Sequence, residues 1–240
     1  MTNELPSKTL AAIVTENYHA ASVFEKYGLD FCCHGKRSLQ KACAENNLSL
    51  EFLLGEIEAS AQQATRREFD RLSLGELADY IVNTHHRYTK SALPQIFSYL
   101  QKVSTKHGSR HEELFKIFND FSLLRQELEQ HMLKEELILF PRIKYLDNIA
   151  DHVDKAPLNV GLPISLMENE HEQVANLLRE IRLQSNNFMP PPDACTTYRL
   201  SFSALQAFET DLHQHIHLEN NILFPKALKL FNDLNGMMMN

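Results

Sequence analysis

The chain has 240 residues, 24 Lys and Arg against 31 Asp and Glu, a net charge of −7 and 43% hydrophobic residues. It is too apolar for a disordered chain and long enough to bury a core, and its acidic balance argues against the basic surfaces that nucleic acids and anionic membranes require. With 7 Gly and no Trp a turn-dense β fold is disfavoured, and the 12 His are the feature to explain.

Residues 1–7 are polar, with no apolar stretch of the signal-peptide kind. No run approaches the roughly 20 apolar residues of a membrane span. Four Cys in this length do not make a disulfide scaffold, so a cytoplasmic setting with reduced thiols is expected. Short helices are predicted over 9–16, 19–27, 36–45 and 49–64, with Gly28 as a breaker and 30–35 as a loop. Residues 1–62 read as a small helical domain carrying Cys32 and Cys33. The polar stretch 63–71 reads as a linker.

Residues 72–235 read as an antiparallel bundle of four amphipathic helices. The first opens on a Ser73–Glu76 capping box and runs to about 102. A turn at 104–109 precedes the second, about 110–145, which Pro141 should kink or end. A loop containing Pro157, Gly161 and Pro163 leads to a second capping box at 165–168 and a third helix ending near 185. Pro190, Pro191 and Pro192 form a rigid break before the fourth, about 197–230.

An internal repeat carries the chemistry. Residues 131–141 (HMLKEELILFP) match 215–225 (HIHLENNILFP), an offset of 215 − 131 = 84. Counting back 85 from His171 reaches His86. Each half of the bundle therefore offers one lone His and one His-x-x-x-Glu. In the second helix Ile117, Phe121, Leu124, Leu128, His131, Glu135 and Ile138 alternate steps of four and three, as do Ser201, Leu205, Phe208, Leu212, His215, Glu219 and Ile222 in the fourth and Ile164, Met167, His171, Val174, Leu178 and Ile181 in the third. Such a seam faces the bundle axis. In the first helix periodicity does not separate His85 from His86; the repeat offset favours His86. Distances of the ligands from their helix ends place each pair at one level.

A lone His on a seam is ordinarily a hydrogen-bonded packing residue. Two copies, each with a Glu that is expensive to bury unpaired, point to cations. Four His (His86, His131, His171, His215) and two Glu (Glu135, Glu219) exceed one tetrahedral zinc. They suit two octahedral ions with both carboxylates bridging and an oxo or hydroxo bridge completing the pair. Mixed N/O ligation favours iron over magnesium or calcium, with manganese as the alternative. A ferritin-type Glu-x-x-His occurs once, at Glu168 and His171, without a matching copy. Glu127, Glu170 and Asp211 are candidates for carboxylates that hold and tune the ligands or line a channel. His213 and His217 fall on the polar face and read as solvated; His107 and His111 flank a turn, and His152 lies in a loop.

Cys32 and Cys33 precede Lys36 and Arg37 at an expected helix N-terminus, where the dipole and the cations should lower a thiol pKa. Adjacent cysteines pair poorly because the vicinal ring is strained. The pair reads as a redox, iron-capturing or docking element, with a zinc site from Cys32, Cys33, His34 and Cys43 as another reading and ordinary loop thiols as the bland one. Cys195 reads as structural.

Across nearly its whole length the chain resembles the iron–sulfur cluster repair di-iron proteins, the repair of iron centres family. The resemblance rests on residues 27–33 (YGLDFCC), 84–86 (THH) with Leu93 and Pro94, 131–136 (HMLKEE) with 139–141 (LFP), 167–171 (MENEH), 190–197 (PPPDACTT) and 215–221 (HIHLENN). His34 departs from the Gly common in related members. The resemblance implies a hemerythrin-like bundle holding two irons on His86, His131, Glu135, His171, His215 and Glu219. It implies a cytoplasmic stress-response role in restoring iron–sulfur clusters damaged by nitric oxide or oxidation, by iron donation or by handling nitric oxide at the di-iron site, with damaged iron–sulfur proteins as partners and a homodimer compatible. A hemerythrin-like carrier or sensor of oxygen or nitric oxide, and a di-iron nitric oxide reductase, are the alternatives.

Overall fold

A computed structural model describes residues 4–61, 69–149 and 158–238. Residue 62, residues 63–68 of the expected linker, His152 and Pro157 lie outside the described residues.

The N-terminal part has four short helices, α1 (Leu10–Glu16), α2 (Ala20–Lys26), α3 (Leu39–Glu45) and α4 (Leu50–Ala61). Thr9 and Ser38 cap α1 and α3 with side-chain oxygens that accept from Ala12 N and Lys41 N. These two caps also face each other in an isolated antiparallel bridge. Gly28, at φ +66°, turns the chain out of α2 in a conformation few side chains adopt. Gly35 is required for a different reason: a Cβ there would lie 2.1 Å from the Phe31 carbonyl oxygen.

Four long rods follow. The first is α5 (Leu74–Ile81), a π turn (Val82–His86) and α6 (Arg87–His107). The second is α7 (Glu113–Lys134), a π turn (Glu135–Leu139) and α8 (Phe140–Ile149). The third is the unbroken α9 (Gly161–Gln184), and the fourth is α10 (Thr196–Leu218), a π turn (Glu219–Leu223) and α11 (Phe224–Met238). The Ser73–Glu76 capping box forms in full. The second expected box does not, because α9 begins four residues before Ser165 and leaves it mid-helix.

Each π turn accommodates one residue more than a 3.6-residue turn and so rotates the helix that follows. Phe140 N–H donates to Glu135 O and Phe224 N–H to Glu219 O, five residues back. The widened turn leads directly into Pro141 and Pro225, which have no N–H to give, and the helix continues through both. The rotation also corrects the expected seam: Leu139 is buried, whereas Ile138 is 48% exposed.

The apolar side chains form two clusters. One joins α1–α4 to α6, α7, α9 and α10, so the N-terminal helices share one core with the bundle. The other unites α5, α8, α11 and the start of α9. A polar layer lies between them. Among the described residues, no helix is long and apolar enough to cross a membrane.

Candidate metal centre

That polar layer consists of His86, His131, Glu135, His171, His215 and Glu219, none more than 1% exposed. The π turns place three of them: His86 closes the first, Glu135 opens the second and Glu219 opens the third. His131 and His215 stand one helical turn before their glutamates, and His171 comes from the straight α9.

Each carboxylate divides its oxygens between two histidine pairs. Glu135 Oε1 lies 3.2 Å from His131 Nε2, and its Oε2 lies 3.3 Å from His86 Nε2. Glu219 Oε1 lies 3.0 Å from His215 Nε2, and its Oε2 lies 3.1 Å from His171 Nε2. Two sets of four donors result: His86, Glu135, His215, Glu219, and His131, Glu135, His171, Glu219. In each set the donor atoms all lie within 4.8 Å of one another.

The outward nitrogens fix the rings. His131 Nδ1 donates to Glu170 Oε2 at 2.9 Å, and Lys134 Nζ holds the same carboxylate at 2.5 Å. His86 Nδ1 donates to Glu136 Oε1 at 2.7 Å, with Lys90 on that carboxylate. His171 Nδ1 donates to Asn220 Oδ1 at 2.8 Å. Each inward Nε2 thereby keeps its lone pair for the centre. His131 Nε2 and His171 Nε2 face each other at 3.1 Å, an arrangement that a proton or a cation must relieve.

Donor chemistry and orphaned atoms test the fit of a metal. His86 Nε2, both Glu135 oxygens and Glu219 Oε2 are buried at ion-pair distances yet make no aligned hydrogen bond. Buried carboxylates in that condition are costly unless a cation accepts their lone pairs. In the metal-free chain protons do so. Burial opposes charge on His131, but Glu135, Glu170 and Glu219 overcome it and raise the imidazole to about 10. Burial drives the Glu219 carboxyl upward, and His215 and His171 still hold it well below the usual carboxylate range. The six residues fit two borderline cations with mixed N/O ligation, which would displace these protons.

The remaining expected residues fall as follows. Glu170 carries His131. Asp211 Oδ1 holds His85 Nδ1 at 3.0 Å, and His85 is itself buried, stacked on His215 with ring centroids 5.7 Å apart. The first π turn explains why periodicity could not separate His85 from His86: it turns both inward. Glu127 is exposed and stands outside the donor layer. Two carriers were missed, Glu136 and Asn220. They occupy equivalent repeat positions, 136 + 84 = 220, directly after each glutamate; that signal was available. The polar face of His213 and His217 is covered by the N-terminal part of the chain, which buries His217 and half-buries His213. His217 is buried, 3.4 Å from Thr15 Oγ1, and burial pushes it down to about 4. His213 pairs with Glu25 at 3.4 Å. His107 is buried beside Cys195 Sγ at 3.2 Å.

Cys32 and Cys33 lie in a turn before α3 and not at a helix N-terminus, since α3 starts only at Leu39. The Cys33 thiol beside it, and burial, push the Cys32 thiol well above its usual range, opposite to the expectation from Lys36 and Arg37. Cys43 is buried in the core and stands outside the donor group there.

Two family profiles match the chain: ScdA_N, a domain of unknown function (DUF542), over residues 6–61, and the hemerythrin HHE cation binding domain over residues 77–227. Among similar proteins, the iron-sulfur cluster repair protein YtfE of Citrobacter koseri is 36% identical over 209 residues, covering 87% of this chain and 91% of the relative. The proteins of the same name from Escherichia coli O17:K52:H18 and Shigella boydii serotype 4 are each 35% identical over the same shares. The chain belongs to the iron–sulfur cluster repair family, with a hemerythrin-like, cation-binding helical bundle.

Proposed function

We propose that this chain is a di-iron protein that repairs iron–sulfur clusters damaged by nitric oxide or oxidative stress. The observation that carries the proposal is the pair of buried donor sets sharing both carboxylates, in a chain whose relatives are named for cluster repair. His86 and His215 would hold one ion and His131 and His171 the other, with Glu135 and Glu219 bridging. Two bound irons would supply redox chemistry, a place for nitric oxide or oxygen, and a store from which iron is donated.

The protein's own residues set the conditions. The two apolar clusters on either side of the polar layer exclude water and strengthen every charge interaction inside it. Glu170, Glu136 and Asn220 lock three imidazoles with Nε2 inward. His131 and Lys134 hold the Glu170 carboxyl down to about 2, and Lys90 and His86 hold Glu136 below the usual carboxylate range against its burial. Residues 1–62 act as the thiol-bearing domain, 63–71 as the linker and 72–235 as the bundle. The protein works in the cytoplasm on damaged iron–sulfur proteins, with a homodimer as its assembly.

The test is restoration of activity to an iron–sulfur enzyme whose cluster has been destroyed by nitric oxide. Wild-type protein loaded with iron is expected to restore it, and Glu219→Ala is not. Equal restoration by both would overturn the proposal. Steady consumption of nitric oxide without cluster restoration would favour a reductase instead.

A further inference from the structure

The thiol loop is built more tightly than a surface loop requires. Asp30 Oδ1 accepts the backbone N–H groups of Cys32 and Cys33 at 3.0 and 2.9 Å. This Asx turn brings adjacent side chains, which diverge on extended backbone, to one side. Asn221 Nδ2 donates to the Cys32 carbonyl oxygen at 3.1 Å and pins the loop to the bundle. Asn221 belongs to the same π turn as Glu219 and Asn220. On the other side, the Gly35 backbone bears directly on Phe31 O.

The loop presents three metal-ligating atoms together. Cys32 Sγ and Cys33 Sγ are 3.9 Å apart, and Cys32 Sγ is 3.3 Å from Asp30 Oδ1. All three residues offer ligand atoms within 4.8 Å of one another. A tetrahedral ion with bonds of about 2.3 Å to sulfur and about 2.1 Å to oxygen has edges of roughly 3.8 Å between sulfurs and roughly 3.6 Å between sulfur and oxygen. The loop's spacings lie within about 0.3 Å of these edges. His34 Nδ1, 2.6 Å from Asp30 Oδ2, holds the other oxygen of that carboxylate. Both thiols line an open groove between the thiol loop and the bundle, and the half-buried Cys33 gives an ion a way in.

We propose that Cys32, Cys33 and Asp30 form a second metal site for a single thiophilic divalent cation, Zn²⁺ or Fe²⁺, separate from the bundle centre. Two sulfurs exclude Mg²⁺ and Ca²⁺, which take oxygen. Binding forms two metal–sulfur bonds and releases the two thiol protons to solvent, with no change of oxidation state. The vicinal pair is suited to this more than to a disulfide, because its ring is strained. The site stands whether or not the bundle holds iron.

The experiment titrates the reduced, metal-free full-length chain with Co²⁺ and separately with Cd²⁺. Wild type is expected to develop a thiolate-to-metal charge-transfer absorption whose final amplitude corresponds to one thiolate-bound ion per chain. Cys33→Ser should abolish that absorption and lower total metal by one equivalent, while the ions held by His and Glu alone remain. Asp30→Asn keeps an oxygen for the two backbone N–H groups and should weaken the thiolate site roughly 10-fold or more. Absence of the absorption in wild type, a test that needs no variant to fold, overturns the site. So does an absorption that persists in Cys33→Ser, which would come from Cys43 or Cys195. Failure of the bundle centre looks different: the thiolate-free equivalents would be missing and the thiolate band retained.

Discussion

The two donor sets share their carboxylates but not their support. Both imidazoles of the His131–His171 set are carried from outside, by Glu170 and Asn220. In the His86–His215 set only His86 is carried, by Glu136, and the buried His215 Nδ1 has no hydrogen-bond partner. The repeat shows where the symmetry fails. The position before each lone histidine is Glu170 in one half and His85 in the other, 170 − 85 = 85. Glu170 reaches across to His131, whereas His85 turns to Asp211 and only stacks on His215. Outer partners hold a ligand's orientation and basicity, so the supported set should bind the tighter ion and the other the more releasable one.

The largest effects should come from what the sets share. Glu135→Ala and Glu219→Ala each remove an oxygen from both positions, and metal analysis should find both ions lost. His131→Ala removes a donor from one set alone and should leave close to one ion per chain. If His131→Ala empties both positions as fully as Glu219→Ala, the division into two sets is wrong.

Smaller effects separate the two sets. Glu170→Gln should weaken the His131–His171 position by roughly 10–100-fold, the usual cost of losing such a partner. Glu136→Gln should do the same at the His86–His215 position. In wild type, brief exposure to a chelator should strip one ion well before the other, and Glu170→Gln should narrow the gap. Loss of both ions in a single phase from wild type would contradict the asymmetry. At the bottom of the scale, Glu127→Gln should leave metal content and stability within error, because its side chain is exposed.

The thiol loop gives a further contrast in reactivity. Cys32 is 3% exposed and its thiol is pushed up by Cys33 and by burial. In metal-free folded protein at neutral pH it should resist alkylation, measured by mass spectrometry, and become reactive on unfolding. Rapid modification of Cys32 in the native chain would contradict its burial.

Much of this centre was legible in the sequence because it is duplicated. One His-x-x-x-Glu is ambiguous; two copies at a fixed offset, each on an apolar seam, single out His131, Glu135, His215 and Glu219, which the structure brings together in one buried layer. His86 and His171 follow from nearly the same offset. The π turns were not legible, since nothing in 3.6-residue periodicity announces an inserted residue. Their consequences therefore came as corrections: Ile138 outside the seam, Leu139 inside it, and His85 and His86 both buried. Glu136 is hidden by adjacency to Glu135, and Asn220 by presenting an amide oxygen where a carboxylate is expected. His213 and His217 were misjudged because a polar helix face gives no sign that another part of the chain will cover it. The Cys32 thiol was misjudged through a helix start placed three residues too early.

The central claim is that four His and two Glu form one centre for two bridged irons. Iron analysis with Mössbauer spectroscopy of the anaerobically reconstituted, air-oxidised full-length chain tests it most directly, using Cys33→Ser to remove any thiolate-bound ion. Two irons per chain with the diamagnetic ground state of a coupled ferric pair are predicted. One iron per chain, or two that remain magnetically independent, would contradict it.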